Sequence, residues 1–272
     1  MKPKKGNRGL RREWWLAALV CGVILFGGFS VVNYEFPNQN KLQWILQTVF
    51  TMIYVLGLLR YGLGLNYASQ PNVLYSNLGY GTWITIIRAM LIATLAGFLF
   101  QPWPQSGALS GGLSWAPGTI YITASVLDYL DGRLARHCKH ETRLGAFLDI
   151  NIDALGLLIA PLLAVWYGQL PIAYLAVSAA YFVFISGIWL RKKYSKPVVE
   201  LKPRPSARLI AGFQMGFVGT ALLPLFSPPA TTIAAYMFMV PLLAGFVKDW
   251  WYVCGYPRKN TTLLTDQISR LR

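Results

Sequence analysis

Four aspartates stand in two pairs near the middle of the chain. Asp128 and Asp131 are three residues apart, and Asp149 and Asp153 are four apart. On a helix, either spacing puts both side chains on one face. Between the pairs lies GRLARHCKHETRLG (132–145), which is short, polar and basic. It reads as a turn joining two antiparallel helices, so that the four carboxylates converge between helix ends. Carboxylates gathered in this way repel one another and need cations. Arg133, Arg136 and Arg143 could supply the charge, and hard divalent ions such as Mg²⁺ or Mn²⁺ also suit an oxygen-rich cluster. The small residues fit the metal reading. Gly132 lets a ligand approach the backbone, Ala135 clears space one turn beyond Asp131, and Gly145 removes bulk one turn before Asp149. Arg136 adds a forked donor suited to phosphate. The combination describes a pyrophosphate pocket, in which two metals clamp the entering and leaving oxygens of a phosphoryl displacement.

The elements that must hold these residues are membrane helices. Of 272 residues, 55% are hydrophobic and 13% charged, and the mean hydropathy is +0.43. A soluble domain carries about 25% charged residues. A transmembrane helix needs about 20 mainly apolar residues. Eight spans are expected, near 14–32, 44–63, 83–100, 118–134, 144–167, 171–190, 209–225 and 230–253. The first is too long for a signal peptide, and VVNYEF offers no small-residue cleavage site, so it reads as an uncleaved span. Ionisable groups inside such spans are costly and mark function.

A net charge of +15 would suggest nucleic acid in a soluble protein. Here it follows the positive-inside rule. With the N-terminus inside, the cytoplasmic segments are 1–13, 64–82, 135–143, 191–208 and the tail. MKPKKGNRGLRR contributes six Lys or Arg and RKKYSKPVVELKPRPSAR seven, while only Lys41 falls in an outside loop. The expected location is a multi-pass position in a membrane like the bacterial inner membrane, with the aspartates on the cytoplasmic side. Membrane lipids, not nucleic acid, are the expected partners. Cys21, Cys138 and Cys254 imply no disulfide framework. His137, Cys138 and His140 lack a fourth ligand and read as a solvated loop.

The aspartate stretch reads D-x2-D-G-x2-A-R-x8-G-x3-D-x3-D, with Asp128, Asp131, Gly132, Ala135, Arg136, Gly145, Asp149 and Asp153 at the fixed positions. At average residue frequencies this matches by chance about once in 10⁹ to 10¹⁰ windows. It resembles the signature of the CDP-alcohol phosphatidyltransferase (CDP-alcohol phosphotransferase) family, class I. The resemblance implies an all-α integral membrane enzyme with a six-helix core, here preceded by about two extra N-terminal helices. It implies a basic N-terminus plus two-helix extension over 1–80, a catalytic core over 81–254 and a polar tail over 255–272. It also implies transfer of a phosphatidyl group from a CDP-linked donor, usually CDP-diacylglycerol, to an acceptor alcohol, with release of CMP. Carried over by position, Asp128 and Asp149 bridge two divalent cations, Mg²⁺ or Mn²⁺. Asp131 completes one and Asp153 the other, and Asp153 is also the general base. Gly132, Arg136 and Thr142 contact the CDP group. Upstream, GTWITIIRAML resembles the family's P-N-x-x-T-x-x-R start of core helix one. Thr85 and Arg88 match, but Gly81 and Thr82 replace Pro-Asn. Thr85 is a donor-binding candidate or a hydroxyl bonded to its own helix. Relatives commonly pair as homodimers, which makes a second copy an expected partner.

Relatives often hold an acceptor phosphate with basic residues, which makes Arg143, Arg204 and Arg208 acceptor-binding candidates. The continuation DALGLLIAP after Asp153 carries neither the lysine of many glycerophosphate users nor the arginine of inositol-phosphate users. Ala160 and Pro161 resemble serine-using relatives, without the serine and phenylalanine expected between. Glycerol 3-phosphate is the preferred acceptor; serine, inositol or inositol phosphate is the alternative. A cation-coupled transporter would also explain intramembrane aspartates, but not the glycines, alanine and arginine at fixed offsets, and it predicts discontinuous helices or repeated halves.

Overall fold

A computed structural model describes residues 6–35, 38–68, 75–103, 112–138, 140–199 and 205–255. Helices dominate. In order they are α1 (Gly6–Glu35), α2 (Asn38–Gly62), α3 (Tyr80–Ala96), α4 (Gly112–His137), α5 (Arg143–Trp166), α6 (Leu175–Lys193), α7 (Pro205–Ala221) and α8 (Ala230–Val253). No strand is present among the described residues. Lipid hydrocarbon offers no hydrogen bonds, so a spanning segment must satisfy its backbone internally, as a helix does.

Each of the eight expected spans falls on a helix, though several ends differ. The α1 helix starts at Gly6, ahead of the apolar run, because polar residues continue a helix once it protrudes from hydrocarbon. The α3 helix stops at Ala96, not near residue 100. Its chain turns over residues 97–100, with Phe100 in the left-handed region at φ 61°. Five helical segments are long and apolar enough to cross a membrane on their own: Gly9–Asn33, Asn40–Leu65, Arg143–Trp166, Ile172–Lys193 and Ala230–Val253. Two are shorter, Tyr80–Ala96 and Leu209–Ala221. The α4 helix is not among the five, because its second half carries the first aspartate pair and the arginines around it. The chain is a multi-pass membrane protein. Phe26, Phe50, Val183 and Met237 are each at least 70% exposed. Apolar surface on this scale would aggregate in water but is at home against acyl chains.

The α3 helix lies at the centre, in contact with α1, α2, α4 and α5. Around it, α4 packs on α7, α5 on α6, and α8 on both α6 and α7. The N-terminal pair is built onto this bundle. Trp44 of α2 is fully buried. Gly28 of α1 lies against its indole, so a Cβ there would come within 2.8 Å of the ring. Trp83 of α3 donates its indole N–H to Glu13 of α1 at 2.9 Å.

Gly118 of α4 crosses the chain just after α7, where a Cβ would meet the Leu223 backbone nitrogen at 2.9 Å. Gly57 of α2 has nothing within 4 Å of that position. Overpacking a tight contact costs about 1–3 kcal/mol. Gly118→Leu should therefore lower the thermal midpoint of the protein in detergent by several degrees, while Gly57→Leu leaves it within a degree. Equal midpoints for the two variants would show that α4 does not meet the chain after α7 in this contact.

Candidate functional site

The two aspartate pairs sit on neighbouring ends of antiparallel helices. Asp131 and Asp128 lie six and nine residues before the end of α4, and Asp149 and Asp153 six and ten residues after the start of α5. At 1.5 Å per residue, this puts the carboxylates about 9–15 Å from the helix ends. Both helices run unbroken through the site, unlike the discontinuous helices of many transporters. The α5 helix starts where it does because Thr142 caps it, its hydroxyl accepting the Gly145 N–H at 2.9 Å.

The cation that gathers the aspartates is Arg88 of α3. It is 1% exposed, at the middle of a helix that is otherwise nearly uncharged. Its Nη1 donates to Asp128 and lies 3.5 Å from Asp131. Its Nη2 donates to Asp149 at 2.8 Å and to Asp153 at 3.0 Å. One guanidinium therefore reaches all four carboxylates. In the sequence, Arg88 stands out only as part of a matching pattern, and Arg133, Arg136 and Arg143 are the expected pairing cations. Among the described residues, none of those three forms an ion pair with the cluster. Arg133 instead lies over the Tyr129 ring at 4.3 Å.

Asp128, Asp131 and Asp149 each offer a carboxylate oxygen within 4.8 Å of the other two. Three carboxylates at that separation form a donor set for a hard divalent cation, so the residues fit such an ion. Asp131 is the most enclosed of the four, at 6% exposure. The Thr85 hydroxyl lies 2.8 Å from its Oδ2 and 3.1 Å from the Gly81 carbonyl. Thr85 thus bonds to its own helix, as one of its two readings has it, and it also orients a carboxylate of the cluster.

Cavities open on two sides. A polar one of about 320 Å³ is lined by Thr82, Thr85, Asp131, Gly132, Ala135, Arg136, His140, Thr142, Gly145 and Asp149, among others. It contains the residues expected at a nucleotide site. A second, mainly apolar cavity of about 300 Å³ is lined by Asp153 with Tyr121, Leu157, Gln214 and Phe246, among others. The aspartate cluster separates a polar chamber from a greasy one. Arg143 is exposed and lines neither cavity. Arg204 lies outside the described residues. Arg208 belongs to α7, and its side chain lies outside them too.

A family model described as CDP-alcohol phosphatidyltransferase matches residues 80–255, well over half of the chain. The chain belongs to this family. Proteins named CDP-diacylglycerol--glycerol-3-phosphate 3-phosphatidyltransferase are among its relatives. The one from Cereibacter sphaeroides is 31% identical over 161 residues, covering 57% of this chain and 65% of that protein. Those from Yersinia enterocolitica and Sodalis glossinidius are 35% and 33% identical over 100 residues, covering 34% of this chain and 50% of each. The chain thus spans between half and two thirds of the length of these relatives. No solved structure matches.

Gly81 sits at a close helix crossing. A Cβ at Gly81 would lie 2.9 Å from the Ala135 Cβ and 3.1 Å from the Asp131 carbonyl oxygen. The α3 and α4 helices cross closely there, beside the cluster. Thr82, 4% exposed, lines the polar cavity.

Removing Arg88 leaves the four aspartates with no ion-paired cation among the described residues. Three of them are 31–46% exposed, so the cost falls at the low end of that for a broken buried pair, about 3 kcal/mol. Arg88→Met in detergent with a chelator should have a lower thermal midpoint than wild type. Adding Mg²⁺ or Mn²⁺ should then raise the midpoint by more than it raises that of wild type. An Arg88→Met midpoint equal to wild type in the chelator would show that the ion pairs contribute nothing to the fold.

Proposed function

We propose that the protein transfers the phosphatidyl group of CDP-diacylglycerol to an acceptor alcohol and releases CMP, as a step in phospholipid synthesis. The observation that carries this reading is the aspartate cluster set between a polar and an apolar cavity at the end of a membrane bundle. A CDP-lipid has both characters, with a charged nucleotide diphosphate joined to two acyl chains. The polar cavity, with Arg136 as a forked phosphate donor and Gly132, Thr85 and Thr142 in its wall, takes the CDP moiety. The preferred acceptor is glycerol 3-phosphate, which also appears in the names of the relatives. Arg143, Arg204 and Arg208 are the basic residues proposed to steer its phosphate.

Asp128, Asp131 and Asp149 would hold a divalent cation, and Asp149 with Asp128 and Asp153 a second, Mg²⁺ or Mn²⁺ in both places. When bound, the ions supply charge neutralisation to the pyrophosphate oxygens and to the departing CMP. The protein's own residues do the rest. Arg136 fixes the nucleotide end, so the scissile bond lies over the cluster. Asp153 accepts the proton of the acceptor hydroxyl. The resulting oxygen attacks the phosphorus nearer the lipid, and the bond from that phosphorus to CMP breaks. Arg88 keeps the four carboxylates in one place before substrate arrives. The basic loops set the N-terminus and the site on the cytoplasmic side, where nucleotide donors are available.

CMP release by purified protein tests the reading directly, with CDP-diacylglycerol, Mg²⁺ or Mn²⁺ and a panel of glycerol 3-phosphate, inositol, inositol phosphate and serine. Metal-dependent CMP formation with one acceptor is expected; folded protein that forms none with any acceptor contradicts the reading. Asp153→Asn should lower kcat by about 10² to 10⁴, the usual worth of a positioned base, while CDP affinity stays within a few fold. Turnover at the wild-type rate in that variant would remove Asp153 as the base. Asp128→Ala should lose both activity and metal response, and an unchanged metal affinity would exclude Asp128 from the ion site.

A further inference from the structure

The segment between α2 and α3 lies before the family match, yet it is tied to the wall of the polar cavity. Asn66 is fully buried. Its Nδ2 donates to the Tyr75 carbonyl at 3.1 Å and to the Asn77 carbonyl at 3.0 Å. Its own carbonyl accepts the Tyr75 N–H at 3.0 Å. One side-chain amide thus pins both ends of a loop. The pinned loop then grips the turn between α4 and α5. The Arg143 N–H, an amide at the start of α5 with no partner inside the helix, donates to the Tyr67 carbonyl at 3.1 Å. Ala68 makes an antiparallel bridge with Thr142. The Tyr75 ring stacks on His140, with centroids 3.9 Å apart and planes at 27°. His140 and Thr142 both line the polar cavity.

We infer that this segment positions the nucleotide side of the site, with Asn66 and Tyr75 as its positioning residues. The N-terminal pair of helices is on this account part of the substrate-binding unit and not only an anchor. The inference rests on the reading that the polar cavity takes the CDP moiety. Neither residue touches the aspartates in the structure, so their effect falls on donor binding and not on the chemical step. Tyr75 acts through its ring face, which any flat aromatic side chain retains. Asn66 acts through its N–H donors, which aspartate lacks.

The test uses the full-length protein in detergent, with four variants: Asn66→Ala, Asn66→Asp, Tyr75→Ala and Tyr75→Phe. Three quantities are measured: CDP affinity by titration, donor KM against kcat, and amide exchange at Arg143. At metal sites, losing an outer partner that orients a binding group costs about tenfold or more in affinity, and the same order is expected here. Tyr75→Ala and both Asn66 variants should weaken CDP binding and raise donor KM about tenfold. They should also speed Arg143 exchange, while kcat stays within a few fold. Tyr75→Phe should behave as wild type, which separates ring stacking from loss of the residue. Tyr75 is only half-buried, so its variants keep the test open if the Asn66 variants fail to fold. Tyr75→Ala binding CDP as tightly as wild type overturns the inference. So does a fall in thermal midpoint or kcat without a change in donor KM. A wild-type protein with no affinity for CDP would instead overturn the donor reading, and this inference with it.

Discussion

The structure depends on one guanidinium holding four carboxylates. Two unit charges about 5 Å apart interact by about 3–4 kcal/mol at an effective dielectric near 20. Asp128, Asp131 and Asp149 have oxygens within that distance of one another, so their mutual repulsion alone would drive α4 and α5 apart. Arg88 reverses this, because each carboxylate is closer to the guanidinium than the three are required to be to each other. The arrangement dictates where α3 must run. It has to pass between the ends of α4 and α5 with its middle turn facing both pairs, which makes it the central helix of the bundle. One positive charge against four negative ones still leaves the site anionic when all are ionised. That residual charge is what a divalent cation needs, and it separates this cluster from a closed salt bridge.

The close passage of α3 also explains the small residues around the cluster. Gly81 meets Ala135, and a Cβ on Gly81 or a larger side chain at Ala135 would push α3 away from the aspartates it neutralises. Gly132 leaves the Arg136 guanidinium free to lie along its own helix, 3.4 Å from where a Cβ would stand. Small residues here do two jobs with one geometry. They allow the helices to approach closely enough for Arg88 to reach, and they leave open the polar cavity beside Asp131 and Asp149.

The aspartates, their spacing and the helical turn between them were legible in the sequence because helix periodicity is local. So were the eight helices, because apolar runs of that length have few other uses. The role of Arg88 was not, since its partners lie 40 to 65 residues away. Its only sequence signal was being a charged residue in the middle of an apolar segment. The arginines nearest the motif were misleading for the same reason: closeness in sequence says little about which side of a helix end a long side chain takes. The grip of Asn66 and Tyr75 on the α4–α5 turn was equally hidden, because it depends on a loop meeting a turn more than sixty residues later.

These features make the N-terminal helices and the matched core hard to treat as separate bodies. The α3 helix that carries Arg88 is in contact with α4 and α5 and also with α1 and α2. A helix of 17 residues is about 25 Å long at 1.5 Å per residue, shorter than the roughly 30 Å hydrocarbon core of a bilayer. It cannot be exposed to lipid along its whole length without leaving backbone groups at its ends in hydrocarbon. Enclosure by four neighbouring helices removes that difficulty. Met90, Ala93 and Leu95 are completely buried, alongside Arg88 at 1% exposure. The N-terminal pair therefore supplies part of what a short charged helix needs to stand in a membrane: neighbours that cover it from lipid.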